Sequence, residues 1–226
     1  MIHNFQGRPL LFHVYDQVRK ARLIDRVIIA TDSRQVLDVV AGFNGEAVLT
    51  SNRHRTGTDR VAEVVQKMGG DIVINIQADN LGLKARVLDN VIRGMLANSR
   101  IEFATLAHRI MTDEDLSNPN VVKIIINRNN RAMWFSRFPI PYIKQTERGS
   151  LVKQYPYWAH IGIYFFRRRA LNSFTRWKRS PSEKAESLEQ LRILENGAEI
   201  FVYRTSMKSF SIDTPQDLKN ISRVYR

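Results

Sequence analysis

The sequence contains no cysteine. That removes disulfides, thiolate nucleophiles and thiolate-ligated metals, and it fits a reducing compartment. It has no uninterrupted apolar run of the ~20 residues a membrane-crossing helix needs. Nor does it open on the basic-then-apolar pattern of a secretory signal. A cytoplasmic protein without a membrane span is the expectation. Histidine is sparse: His3, His13, His54, His108 and His160 lie far apart, and no pair has zinc-site spacing. Internal repeats, low-complexity tracts and clear linkers are also lacking. Acidic residues are the scarcer charge, 22 against 35 basic ones, for a formal net charge of +13. Such a balance suits nucleic acid, an anionic substrate, or merely a basic surface. The basic residues are spread along the chain, densest at Arg167-Arg168-Arg169 and Arg176-Trp177-Lys178-Arg179. No familiar nucleic-acid motif accompanies them, so a solvated basic face is favoured over a nucleic-acid site.

What is present is an alternation. At 226 residues and 43% apolar content, the chain can bury one large core or two small ones. Leu10, Leu11, Val14 and Val18 repeat at helical spacing over 9–21. A strand follows over 26–32, then a helix with Ser33 placed to cap it. Residues 45–50 read as a short strand. A polar loop, 51–59, leads into a helix carrying Val61, Val64, Val65 and Met68, with Thr58 as its expected N-cap and Asp59 in its first turn. Further on, helices are predicted over 85–98 and 183–195. Strands are predicted over 101–107, 121–126, 132–136, 158–166 and 201–203. Asp213-Thr-Pro-Gln-Asp217 has the form of a helix start. Strands alternating with helices imply an α/β fold with a mainly parallel sheet.

The centre of the pattern is Asp71-Ile-Val-Ile-Asn-Ile-Gln-Ala-Asp79. Its β-branched run predicts a strand packed on both faces. Asp79 would then stand at the strand's carboxyl end, where open α/β sheets bind ligands. From position alone, a turn aspartate capping the next segment is an equal alternative.

Several segments together resemble one family. They are Gly7-Arg-Pro-Leu10, Ile29-Ala-Thr-Asp32, Thr56-Gly-Thr-Asp-Arg60 with Ala62-Glu63, and Asn75-Ile-Gln-Ala-Asp79. They continue through Asn118-Pro-Asn-Val-Val-Lys123, Phe135-Ser-Arg137 with Pro139-Ile-Pro141, His160-Ile-Gly-Ile-Tyr164, Leu188-Glu-Gln-Leu-Arg192 and Asp213-Thr-Pro215. In this order, from about Gly7 to the C-terminus, the chain resembles the 3-deoxy-manno-octulosonate (Kdo) cytidylyltransferases of lipopolysaccharide biosynthesis. The resemblance implies a single Rossmann-like nucleotide-diphospho-sugar transferase domain over 1–226. It also implies an antiparallel subregion, about 121–166, that supports a homodimer. The implied reaction is attack of the anomeric hydroxyl of an acidic eight-carbon sugar on the α-phosphorus of CTP, with Mg²⁺ as cofactor.

By resemblance Asp79 and Asp213 are the catalytic, metal-holding carboxylates. Thr56, Gly57, Thr58 and Arg60 approach the cytosine. Gln77, Arg137, His160, Tyr164, Glu186 and Gln190 face the sugar, with Lys123 and Arg137 set for its carboxylate or for the dimer. Glu186 and Gln190, four apart on the predicted 183–195 helix, are expected on one face.

Two departures stand out. The family begins with a buried strand and an Arg/Ser/Gly/Lys loop that holds the triphosphate, whereas residues 1–226 begin just after it. The family's Gln-Gly-Asp-Glu-Pro is Gln77-Ala-Asp-Asn-Leu81 here. The expectation is therefore a truncated enzyme with little activity as written. The alternative is a catalytically degenerate homologue serving as a partner or regulatory subunit. A basic nucleic-acid-binding protein, supported only by charge, is the least favoured reading.

Overall fold

In the computed structural model, residues 2, 4–78, 80–144 and 149–207 are described. The chain divides into two compact units, one built from the chain up to Asn98 with Met207 returning to it, the other from Ser99–Ser206.

The first unit opens on a small antiparallel hairpin, β1 (Asn4–Phe5) and β2 (Arg8–Pro9). Gln6 and Gly7 both take positive φ there, as a tight two-residue turn demands. Helix α1 (Leu10–Arg19) buries Leu10, Leu11, Val14, Tyr15 and Val18, the stripe its sequence predicts. Strands β3 (Ile28–Thr31) and β4 (Glu46–Leu49) pair in parallel around α2 (Arg34–Ala41). Ser33 sits at the N-cap of α2, but its side chain makes no capping bond; its backbone N–H donates to Thr31 Oγ1 instead. Helix α3 (Gly57–Met68) ends at Gly69, whose φ of 82° only glycine adopts without strain. Strand β5 (Ile72–Ile76) alternates rather than being sealed on both faces: Val73 and Asn75 are buried, and the three isoleucines are half-buried. Helix α4 (Ala85–Ala97) buries Leu88, Val91, Ile92 and Met95 as expected. Its buried Asp89 accepts from the backbone N–H groups of Arg22 and Leu23 at 3.1 and 2.9 Å, pinning the chain after α1.

The second unit contains β6 (Phe103–Arg109), α5 (Asp113–Ser117), β7 (Lys123–Ile126), β8 (Ala132–Ser136), α6 (Leu151–Gln154), β9 (Trp158–Arg167), α7 (Arg168–Arg176), α8 (Pro181–Glu186), α9 (Gln190–Glu195) and β10 (Ile200–Thr205). Within it the strands lie in the order β10-β6-β9-β7-β8. Only β10 and β6 are parallel; the β6–β9, β9–β7 and β7–β8 pairs are antiparallel. The antiparallel part thus starts earlier than residue 121.

One sequence reading is corrected here, and one element is added. The basic run after β9, for which the sequence predicts no element, holds a helix, and its Arg168, Arg169, Arg176, Lys178 and Arg179 are exposed as a solvated basic face. Ala170, Leu171 and Phe174 recur at helical spacing inside it and bury one face of α7. The predicted helix over 183–195 is two helices, broken at Ser187, which takes the left-handed conformation with φ of 53°.

Candidate active site

In the first unit the candidate residues gather at the start of α3. Thr56, not Thr58, is the N-cap: its extended backbone aims Oγ1 at the N–H of Asp59, 3.1 Å away. Thr58 is fully buried, and its hydroxyl accepts from Asn75 Nδ2 at 2.9 Å, tying the helix start to β5. That buried pair explains both the displaced cap and the polar residue in mid-strand. Gly57 is exposed, and among the described residues nothing lies within 4 Å of where a Cβ would stand. Arg60 reaches back to two strand ends, donating from Nη1 to Thr50 Oγ1 at 2.7 Å and from Nη2 to Asp32 Oδ2 at 2.9 Å. The Arg60 hydrogen bond holds the Asp32 carboxyl below its usual range. Glu63 orders the preceding loop, accepting from Ser51 N–H at 2.9 Å and meeting His54 Nε2 at 2.6 Å and Lys67 Nζ at 2.7 Å. Those partners, Lys67 foremost, pull its carboxyl down to about 2. Gln77 is exposed just past β5, its carbonyl accepting from the Asn80 N–H at 3.1 Å. Asp79 and Asp213 both lie outside the described residues, as does the predicted helix start at 213–217.

In the second unit His160, Tyr164 and Gln190 come together. The Tyr164 hydroxyl donates to Gln190 Oε1 at 2.9 Å, and Gln190 Nε2 lies 3.5 Å from His160 Nδ1. The other ring nitrogen, Nε2, is 2.8 Å from Thr105 Oγ1. Phe135 meets the imidazole edge-on at 5.0 Å between ring centroids. Burial pushes His160 down to about 3, so the ring is neutral. Burial, with the Glu189 carboxylate second, raises Tyr164 well above the usual phenol range.

Glu186 stands elsewhere. The left-handed turn at Ser187 separates it from Gln190, so the two do not share a helix face. Its carboxylate accepts from Ser136 Oγ and from the Arg137 backbone N–H, each at 2.7 Å. The Arg137 guanidinium grips the Glu186 carbonyl at 2.7 Å and the Pro119 carbonyl at 3.0 Å. Lys123 is fully buried and donates to the carbonyls of Asn118 and Val121. Burial lowers it to about 8; Glu186 acts in the opposite direction, and Arg137 adds to the lowering. Together these residues brace the 118–122 turn, and His160 N–H bonds the Val122 carbonyl at 2.8 Å. Two residues here carry no sequence signal of a site role. Thr105 is a β-branched residue inside an apolar strand. Ser136 lies inside the Phe135-Ser-Arg137 motif, where nothing local marks it from its neighbours.

A family model described as cytidylyltransferase matches residues 1–200. The chain is 39% identical over 220 residues to the 3-deoxy-manno-octulosonate cytidylyltransferase of Geobacter metallireducens, covering 95% of this chain and 87% of that protein. It is 40% identical over 222 residues to the protein of the same description from Thermodesulfovibrio yellowstonii, with the same two coverages. A solved CMP:2-keto-3-deoxy-manno-octonic acid synthetase, complexed with CTP, matches at a TM-score of 0.90 and 33% identity over 99% of this chain and 90% of that one.

Proposed function

The chain belongs to the 3-deoxy-manno-octulosonate cytidylyltransferase family, and we propose that it joins CMP to Kdo in the cytoplasm for lipopolysaccharide synthesis. The anomeric hydroxyl of the sugar attacks the α-phosphorus of CTP, and pyrophosphate leaves. The observation that carries this reading is the match to a CTP-bound synthetase over 99% of the chain.

The loop 51–57 and the start of α3 approach the cytosine. Thr56 caps the helix, Thr58 ties it to β5, Arg60 fixes it to the ends of β3 and β4, and Gly57 leaves room for a planar base. On the sugar side His160 offers a neutral ring, with Gln190 and Tyr164 behind it. Arg137 and Glu186 support that wall through the 118–122 turn. Asp79 and Asp213 would hold Mg²⁺, since two carboxylates are a donor set suited to a hard, oxygen-preferring cation. Bound there, the ion would neutralise charge on the triphosphate. A homodimer would cover the large apolar side chains exposed at Met133, Phe138 and Tyr142, on β8 and just after it. Among the described residues no helix is long and apolar enough to cross a membrane.

The test is pyrophosphate release from CTP with Kdo and Mg²⁺, comparing the parent chain with Asp79→Asn and Asp213→Asn. Each variant should lose about a hundredfold or more in rate, beyond the ~10–100-fold that changes at supporting partners of metal ligands produce. Unchanged turnover in either variant removes that aspartate from the site. A parent chain that releases no pyrophosphate even after the family's strand and triphosphate loop are grafted onto it would instead favour the degenerate homologue, the reading suggested by Asn80 in place of the family's carboxylate.

A further inference from the structure

The hydrogen-bond directions around Thr105 fix which nitrogen of His160 carries the proton. Strands β6 and β9 pair with a shift: Thr105 faces Tyr164, but Leu106 faces Ile161, so Gly162 and Ile163 are looped out between them. The shift leaves the carbonyls of Ile161 and Ile163 3.3 and 2.9 Å from Thr105 Oγ1. A carbonyl oxygen can only accept. The one proton of the Thr105 hydroxyl therefore goes to that pair, mainly to Ile163. The third neighbour of this oxygen, His160 Nε2, must then donate to it. The ring is consequently protonated on Nε2, and Nδ1 carries the lone pair. The opposite arrangement has Thr105 donating to Nε2, which leaves three acceptors converging on a fully buried site with one proton spent elsewhere. The far end of the chain agrees: Tyr164 donates to Gln190 Oε1, which turns the Gln190 amide N–H₂ toward Nδ1. That contact is 3.5 Å, too long to saturate the acceptor.

We propose that Thr105 is a positioning residue for sugar recognition: its hydroxyl, committed to the β9 carbonyls, locks His160 as the Nε2–H tautomer and so presents Nδ1 as a fixed acceptor for a hydroxyl of the acidic sugar. This rests on the reading that His160 lines the sugar site. Thr105 itself, sealed in the sheet, does not touch the substrate.

The experiment pairs a spectroscopic readout with kinetics. Long-range ¹H–¹⁵N spectra of the ¹⁵N-histidine-labelled chain, with His160 assigned through His160→Gln, report the tautomer directly. The parent should show His160 protonated on Nε2. Thr105→Val removes the acceptor and should move the proton population toward Nδ1. It should also raise KM for Kdo about tenfold, the worth of one neutral hydrogen bond, while leaving KM for CTP unchanged. Thr105→Ser, which keeps the hydroxyl, should restore both properties. A parent ring protonated on Nδ1 overturns the proposal without any variant having to fold, as does a Thr105→Val ring that stays on Nε2. A changed tautomer with unaltered KM for Kdo in Thr105→Val and His160→Gln alike would instead overturn the placement of His160 at the sugar, and with it this role of Thr105.

Discussion

Removing one charge from the Glu183–Arg192 pair should cost the second unit about 3 kcal/mol. Both side chains are almost fully buried. Arg192 donates twice to the Glu183 carboxylate, from Nε at 2.8 Å and Nη2 at 2.5 Å. Its guanidinium also lies over the Phe174 ring, 4.3 Å from the centroid. Glu183 is at the same time the third residue of a capping box with Ser180. Glu183→Gln keeps an oxygen for the Ser180 N–H and so isolates the charge. Breaking a buried pair from one side costs ~3–5 kcal/mol, because the remaining charge is stranded. The Phe174 ring offsets ~1 kcal/mol of that. With a urea slope of ~2–3 kcal/mol/M, about 3 kcal/mol moves the midpoint by about 1 M. Trp177, packed against Phe174 at 6.3 Å, gives a local fluorescence signal for the transition. The control is Glu183→Gln with Arg192→Met, which keeps the oxygen for the Ser180 N–H, leaves no buried charge at 192 and should recover most of the loss. The deficit should also shrink in acid. Burial raises the Glu183 carboxyl, but the hydrogen bonds and charge of Arg192 outweigh it, and the folded value lies below the unfolded one. Stability from the pair is therefore present above the unfolded value and is lost as pH falls through the folded one. A Glu183→Gln stability within ~1 kcal/mol of the parent, or a double variant as unstable as the single one, would refute the reasoning.

Two further outcomes are expected. Thr58→Val leaves the buried Asn75 amide without its acceptor and should destabilise the first unit by ~1–3 kcal/mol, measured by urea denaturation, whereas Thr56→Ala should cost only the ~1 kcal/mol of a cap. His160, with its folded value lowered to about 3, resists a proton that the unfolded chain accepts near 6.5. Its contribution to stability should be intact above that pH and decline as pH falls from 6.5 toward 3, while Kdo KM should show no histidine inflection near neutrality; an inflection removed by His160→Gln would contradict the neutral ring.

The fold was readable where periodicity met a single physical demand. Leu10 to Val18 and Leu88 to Met95 each name a helix because one face alone must be apolar. It was unreadable where two demands compete. Six basic residues over 167–179 hid the Ala170, Leu171, Phe174 stripe of α7. The 183–195 stretch looks continuously helical because nothing in Ser187 announces a left-handed turn; non-glycine residues seldom take one. The candidate site residues are named only through the ordered motifs. His160, Tyr164 and Gln190 are 4 and 26 residues apart along the chain, and no local spacing joins them. Thr105 was invisible because its role depends on a pairing shift that no sequence period encodes.

The left-handed turn at Ser187 has a consequence for how such a protein can change. An unbroken helix would have fixed Glu186 and Gln190 in one frame, so that any shift of one would carry the other. With the break, Glu186 is anchored to Ser136 and Arg137, and Gln190 to Tyr164 and His160. Gln190 can therefore change without carrying Glu186 with it, and the brace around Arg137 stays as it is.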